Sequence, residues 1–446
     1  MRKFLILLIL IALLLGGLVL WLKGPIAETT DAALKAYPVY SFARTRNEAL
    51  LRLAHEGVNG SNHLMHRPDL SGPRDRLITT PNNDTLYSFA FLDLASGPVQ
   101  LKLPALLDRY HSVAVMDART DNVVVVGTRD GGAGGEIVLK FGEGAEGAKP
   151  PAGTETARTY AIPSPQAWML VRTLVDGPAD LNAARAAQQG FGLTVPEASR
   201  RDARKAEVLP VLPDPATLLR AANPLIAESP HLQAASLAAT GYGGGTDAFE
   251  QLPVWRQWIW RLLLPRLFQR MQKGLSERAR FSADGWSGTP PGIGTAEASD
   301  IVRAGVALAG LGALPATEAV YWSAVVDKDG KELDGAKRYR LTVPADVPAG
   351  AFWSLSLYER LPDGRLFYVE NPIDRYAVGN RTPGLLRNAD GSLPLAIQPT
   401  DPGEGVNWFP TPKDSRFTLI FRAYLPEKPI IDGTWRLPAV EAAPAG

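Results

Sequence analysis

The first pattern along the chain is an uncharged apolar run, Phe4–Leu22, preceded by Arg2 and Lys3 and closed by Lys23. At about 1.5 Å per residue it reaches roughly 28 Å as a helix, close to the ~30 Å hydrocarbon core of a bilayer. A cleaved signal has a shorter apolar region, usually about 7–15 residues, and small residues at its exit. Here Trp21, Leu22, Lys23 and Pro25 crowd the exit. The pattern therefore favours a retained anchor over residues 1–26 rather than a removed signal. Positive charge at its start holds that end in the cytoplasm, which predicts a single-pass inner-membrane protein with its body facing the periplasm.

From residue 29 to 55 apolar positions recur at helical spacing and are interrupted at Pro38, which predicts two short helices. The signal then changes to period two. TLYSFAFLDL, VQLKL, HSVAVMD, NVVVVGT, EIVLKFG, TYAIP and WMLVRTLV read as strands separated by Gly, Pro and Asp clusters, and they place a β-sandwich with its leading helices over residues 27–175. Residues 176–315 are rich in Ala, Leu and Arg, with helical stretches near 180–189, 215–222, 248–273 and 296–311. Strands return over 316–438 as AVYWSAVV, YRLTV, FWSLSLYE, LFYVE, LPLAIQP and FTLIFRAYL, predicting a second sandwich. Residues 439–446 carry no packing pattern and read as a frayed tail. The fold class is mainly β with a helical insertion, two β-sandwich domains behind one transmembrane helix.

Composition narrows the function classes. The 446 residues hold 47 Lys plus Arg against 46 Asp plus Glu, and no block of clustered cations that could neutralise a phosphate backbone broadly, so nucleic acid is not expected as a partner. The absence of Cys excludes disulfides, thiolate metal sites and Cys nucleophiles. No cofactor can be assigned from the residues.

The densest polar cluster is TTPNNDTLYS, Thr79 to Ser88, where Asn82, Asn83 and Asp84 can bond their own backbone in a tight turn ahead of a strand. The alternative reading makes Asp84 a general base or a ligand-binding carboxylate at a cleft mouth. His63 and His66 are three apart and would share a face if helical, yet no set of three or four ligands accompanies them, so no metal centre is predicted. His55, His111 and His231 are isolated. RDGGAGGE, 129–136, reads as a hairpin connection, and GEGAEG, 142–147, as a turn, because Pro150 and Pro151 follow where a dinucleotide fingerprint needs a helix. Residues 254–273 hold three Trp and five cations without an acid. They fit either an interfacial helix resting on a membrane or a segment buried against the β units or a subunit. Arg375, Tyr376, Asn407, Trp408 and Trp435 lie in turn-rich contexts suited to carbohydrate or planar-ligand contact and equally to sandwich-edge packing and subunit interfaces.

TPNNDTLYSFAFLDLASGPVQLKLP and RYHSVAVMDARTDNVVVVGTR resemble the bacterial domain of unknown function 1254. FWSLSLYE, NPIDRYAVGNR, NADGSLPLAIQ, NWFPTP and FRAYLPEKPIIDGTWRLP resemble domain of unknown function 1214, its usual carboxy-terminal partner. The resemblance covers most of residues 35–438. It implies an amino-terminal sandwich, a helical insertion and a jelly-roll-like second sandwich, and it brings no settled activity. Asn82, Asp84, Thr85, Tyr87 and Asp117 match the first motif set, with His66 on a further family position; Asn371, Arg375, Tyr376, Asn407 and Trp408 match the second.

Three functions remain open on these residues. The first is a cell-envelope protein binding a small polar, sugar-like or anionic ligand between the sandwiches, through Asn82, Asp84, Tyr87, Asp117, Arg375, Tyr376, Asn407 and Trp408. The second is a hydrolase with Asp84 as base and His66 as acid or metal ligand, which requires the two to converge within hydrogen-bond reach. The third is a homo-oligomeric envelope scaffold that uses the sandwich edges and the Trp-rich segment 254–273 as subunit surfaces.

Overall fold

The computed structural model describes residues 2–58, 60–76, 79–142, 157–195, 206–277, 279, 282–362 and 364–444. Among these, one helix, α1 (Arg2–His55), opens the chain and contains both Pro25 and Pro38. The break expected at Pro38 does not occur. A proline inside a helix costs about 3 kcal/mol, whereas Tyr37, Val39, Tyr40 and Phe42 beside it are each at most 1% exposed, and burying each contributes about 1.5–3 kcal/mol. Packing decides the outcome. The apolar run Phe4–Leu22 forms the first part of α1, but most of its side chains lie outside the described residues. Among the described residues, no helix is long and apolar enough to cross a membrane.

The first β unit contains β1 (Met65–Arg67), β2 (Thr85–Asp93), β3 (Val99–Leu103), β4 (His111–Met116), β5 (Asn122–Gly127), β6 (Gly135–Phe141), β7 (Arg158–Ile162), β8 (Gln166–Leu174) and β9 (Gly192–Thr194). One sheet runs β1-β2-β8-β4-β5 and the other β7-β6-β3-β9. Alternate residues of each face a common core, where Leu92, Val113 and Val171 of the first sheet meet Leu101, Ile137 and Leu139 of the second. Between β8 and β9 lies α2 (Leu181–Gln188). His63 and His66 do not share a helical face, because His66 lies in β1, paired with Ser88 of β2. RDGGAGGE is not a hairpin connection: it carries the chain from β5 in one sheet to β6 in the other. The crossing is tight, since a Cβ on Gly134, at φ +75°, would lie 2.7 Å from the Leu103 carbonyl oxygen. The GEGAEG turn lies, from residue 143, outside the described residues.

Helices α3 (Pro215–Glu228), α4 (Val254–Glu277) and α5 (Asp300–Ala309) pack with α1 around one apolar cluster that includes Tyr37, Phe42, Leu218, Trp260 and Ala304. Asp214 caps α3, its carboxylate accepting from the Ala216 and Thr217 amides. A buried ion pair ties this layer to the first β unit, and partly exposed pairs brace the layer itself. Arg303 of α5 donates to Asp121 at 2.9 Å and to Asp300 at 2.9 Å, and Asp300 also holds Lys35 of α1.

The second β unit contains β10 (Ser282–Ala283), β11 (Trp286–Ser287), β12 (Ala319–Ala324), β13 (Tyr339–Val343), β14 (Ala349–Arg360), β15 (Leu366–Phe367), β16 (Ala377–Gly379), β17 (Leu393–Gln398), β18 (Trp408–Pro410), β19 (Phe417–Pro426) and β20 (Glu441–Ala442). One sheet runs β10-β11-β12-β19-β14-β15, with β16 also on β14, and the other β18-β17-β13-β20. Trp322, Leu355 and Phe421 of the first meet Leu341, Leu395 and Ile397 of the second in a shared core. The tail differs from expectation through residue 442. Strand β20 pairs with β13, and Val440 just before it is fully buried in the same core.

Candidate functional site

Period-two alternation gives two of these sheets a second face. On β2, Ala90 and Leu92 point into the first core, so Tyr87, Phe89 and Phe91 point away from it; on β8, Met169 and Val171 point in, so Trp168, Leu170 and Arg172 point away. The second unit repeats the arrangement on β19, with Leu419 and Phe421 inward and Ile420, Arg422 and Tyr424 outward. These outward faces, closed by Thr45, Ala49 and Arg52 of α1 and by residues 309–313 at the end of α5, surround a cavity of about 260 Å³. Its walls are largely aromatic and aliphatic.

Two of the arginines in those walls are buried. Strand register sets Arg172 opposite Tyr87 and Arg422 opposite Tyr321. Arg422 is 3% exposed and donates to Ser356 Oγ at 2.9 Å, to the Tyr358 hydroxyl at 2.8 Å and to the Thr80 carbonyl at 3.2 Å. Its guanidinium lies over the Tyr358 ring, 5.6 Å from the centroid. Arg172, 5% exposed, donates from Nη2 to the Gly312 carbonyl at 2.7 Å and lies 5.5 Å from the Tyr87 centroid. Its Nη1 is buried without a protein partner, and so is the indole Nε1 of Trp168, which stacks on Phe91 at 5.6 Å. Burial opposes the charge on each arginine, but the electron-rich tyrosine oxygens around them hold both cationic. The cavity lining carries Arg52, Arg67, Arg172 and Arg422 against a single acid, Asp75, which is paired with Arg67. The lining therefore carries an excess of cationic side chains.

The polar cluster found in the sequence is the seam between the two β units. Asn82 Nδ2 donates to the Tyr424 hydroxyl at 2.5 Å while its Oδ1 accepts from the Asp84 amide at 2.5 Å. Ser354 donates to Asp84 Oδ2 at 2.6 Å, Tyr358 donates to the Pro81 carbonyl at 2.6 Å, and the Thr80 amide donates to the Leu366 carbonyl at 2.9 Å. Of the three side chains expected to bond their own backbone, Asn82 does so, whereas Asn83 donates to the Ser71 carbonyl at 2.6 Å and Asp84 accepts from Ser354. Burial pushes the Asp84 carboxyl above its ordinary range, against the Ser354 bond and the Arg422 charge, which both favour ionisation.

Of the other residues expected at a site, Asn82 and Tyr87 line the cavity. His66 does not join Asp84. Its Nδ1 contacts Ser88 Oγ at 2.8 Å, and Ser88 stands four positions along the chain from Asp84, about 13 Å at strand rise. Burial lowers the affinity of His66 for a proton. Asp117 is 1% exposed, accepts from the Arg119 and Asp121 amides at 3.0 Å each, and faces His231 Nε2 at 3.0 Å. His231 is thus not isolated. In the second unit Arg375 donates to the Trp408 carbonyl at 2.6 Å, and the Trp408 indole donates to the Gln398 carbonyl at 2.8 Å. Asn407 bridges the Leu386 and Pro394 backbones, and Tyr376 donates to Asp374 at 2.8 Å. These four fix loops and do not line the cavity, although Tyr376 packs against the cluster that holds Ile420 of its wall. Among the described residues, no three His, Cys, Asp or Glu converge to hold a metal ion.

Arg172 and Arg422 were not singled out in the sequence. The available signal was a lone charge inside each of two apolar strands, WMLVRTLV and FTLIFRAYL, at positions that alternation assigns to the face opposite the core.

Two family models match the chain, each described as a protein of unknown function: DUF1254 at residues 61–195 and DUF1214 at residues 318–428. The chain belongs to this two-domain family. The DUF1254 segment spans the first β unit from β1 to β9, and the DUF1214 segment spans β12 to β19, so the cavity is framed by both domains. No curated protein matches the chain. The fold is similar to that of the VPA0106 protein from Vibrio parahaemolyticus, with 19% identity and a TM-score of 0.62 over 93% of this chain and 100% of that one. An uncharacterized protein from Burkholderia cenocepacia aligns over 97% of each chain at 14% identity, with a TM-score of 0.42.

Proposed function

We propose that this DUF1254–DUF1214 chain is a membrane-anchored envelope protein that binds a small amphiphilic anion between its two domains. The observation that carries the reading is the pair of buried arginines, one with an unpartnered Nη1, on otherwise apolar walls. Withdrawing a guanidinium from water costs several kcal/mol unless its donors are met, and a carboxylate meets them in a bidentate pair. Apolar walls suit a hydrocarbon or aromatic body better than a sugar, whose hydroxyls each need a hydrogen-bond partner. The anchor and the periplasmic address rest on the Phe4–Leu22 run and the Arg2 and Lys3 charges before it. The second domain's jelly-roll-like class rests on the family resemblance.

The test compares hexanoate with hexanol on the full chain held in phospholipid nanodiscs, followed by thermal shift and ligand-observed NMR. A charge-assisted hydrogen bond is worth about 1.5–3 kcal/mol, so the acid is expected to bind at least about ten-fold more tightly than the alcohol. Arg172→Met, which retains length and apolar volume, is expected to abolish that preference. Equal affinity for acid and alcohol in the unsubstituted protein, or an unchanged preference in the variant, would refute the proposal.

A further inference from the structure

Helix α4 is buried along one side only. Trp260, Leu264, Leu267 and Met271 are at most 3% exposed against the other helices. On the opposite side Val254 is 67%, Trp258 65% and Leu262 59% exposed, a stripe at i, i+4, i+8 that presents large apolar side chains to the outside. Arg261, Arg266 and Arg270 are exposed around it, and residues 254–273 contain no acid. Trp and Leu favour headgroup depth and Arg favours lipid phosphate, and because α4 runs alongside α1, from Trp255 beside Trp21 to Phe268 beside Tyr37, its amino-terminal end is the part that meets such an interface.

Position identifies what covers the stripe. The amino-terminal end of α4 touches α1 where the apolar run ends. The Trp255 and Trp21 rings are 4.9 Å apart, and Arg256 pairs with Glu28 at 3.1 Å. Leu20 and Trp21 of α1 are themselves 65% and 53% exposed, so the apolar stripe of α4 continues the surface of the run Phe4–Leu22. We propose that the Val254, Trp258 and Leu262 stripe of α4 beds into the headgroup layer of an anionic bilayer. It gives the periplasmic body a second membrane contact beside α1 and fixes its attitude to the surface. The proposal rests on reading Phe4–Leu22 as a membrane segment, and its test separates the two.

Because the chain has no Cys, single labels can be placed without background. Trp258→Cys, Leu262→Cys and, as a control in the second domain, Leu386→Cys, which is 51% exposed, are labelled with an environment-sensitive fluorophore. The full chain is reconstituted into phosphatidylethanolamine–phosphatidylglycerol vesicles. The expected result is several-fold stronger quenching at 258 and 262 than at 386 by lipids spin-labelled near the headgroup, with protection from aqueous iodide. The difference should weaken in vesicles of phosphatidylcholine alone. If the protein floats with vesicles while iodide quenches 258 and 262 as fully as 386, the α4 contact is wrong and the anchor stands. Failure to float overturns both. Labels shielded from lipid and aqueous quenchers alike would place a protein neighbour on the stripe and also overturn the proposal.

Discussion

The hydrogen bond from Ser354 to Asp84 joins the two domains, and its strength can be isolated with Asp84→Ala, Ser354→Ala and the double variant. The bond is 2.6 Å long, Ser354 is 2% exposed, and the carboxylate also faces the Arg422 charge. Removing the carboxylate strands a buried hydroxyl, at a cost of about 1–3 kcal/mol, and removing the hydroxyl leaves the carboxylate less well solvated by a similar amount. If the contact is made as described, the two losses overlap, and the cycle should show a coupling of about 1–2 kcal/mol. Urea unfolding of the full chain in mild detergent, followed by Trp fluorescence, supplies the four stabilities. Additivity within about 0.5 kcal/mol would refute the argument, because contacting groups cannot be independent. A pH series adds a second check. The folded-state pKa of Asp84 is raised above the unfolded value near 3.9, so folding favours its protonated form. That contribution is fully present below the unfolded pKa and is lost as pH rises through the folded value. Relative to Asp84→Asn, the unsubstituted protein should therefore gain stability as pH falls from neutral toward about 4. A difference that does not vary with pH would show that burial is not what sets the proton affinity of this carboxyl.

Three further outcomes are expected. Arg303→Met should destabilise by about 3–5 kcal/mol, because it leaves Asp121, itself 4% exposed, with its buried charge less compensated; chemical denaturation measures it. Gly134→Ala should cost about 1–3 kcal/mol, read as a lowered melting temperature, because φ is +75° and the added methyl would meet the Leu103 carbonyl. The intact protein should fractionate with membranes and its body should be cut by external protease in spheroplasts; a protected body would refute the periplasmic orientation.

Strands and short helices were legible because alternation and helical spacing are local properties. FTLIFRAYL gave β19 and WMLVRTLV gave β8, nearly to the residue. What escaped reading depends on partners far along the chain. Pro38 looked like a break because its local cost is visible, while the burial of Tyr37 and Phe42 against residues near 91, 211 and 268 is not. Strands β10, β11 and β20 are two residues each and carry no period of their own; they exist by pairing. The site was half legible. The polar turn from Thr79 to Asp84 was recognisable as hydrogen-bonded, but its partners Ser354, Tyr358 and Tyr424 lie some 270 residues or more further on. Arg172 and Arg422 were present in strands already recognised, and only the back-to-back arrangement of two sheets turns their outward position into a cavity.

Helix α1 is one continuous rod that carries the apolar run near its start and a wall of the cavity near its end. At about 1.5 Å per residue, Thr45 stands roughly 35 Å along that rod from Leu22. Between those ends Ala32, Ala36, Tyr37, Tyr40 and Phe42 are buried in one cluster with α3, α4 and α5, so the stretch of α1 that bears Thr45, Ala49 and Arg52 is clamped to the helical layer. The apolar run and that wall thus belong to one element, held to the body by its middle.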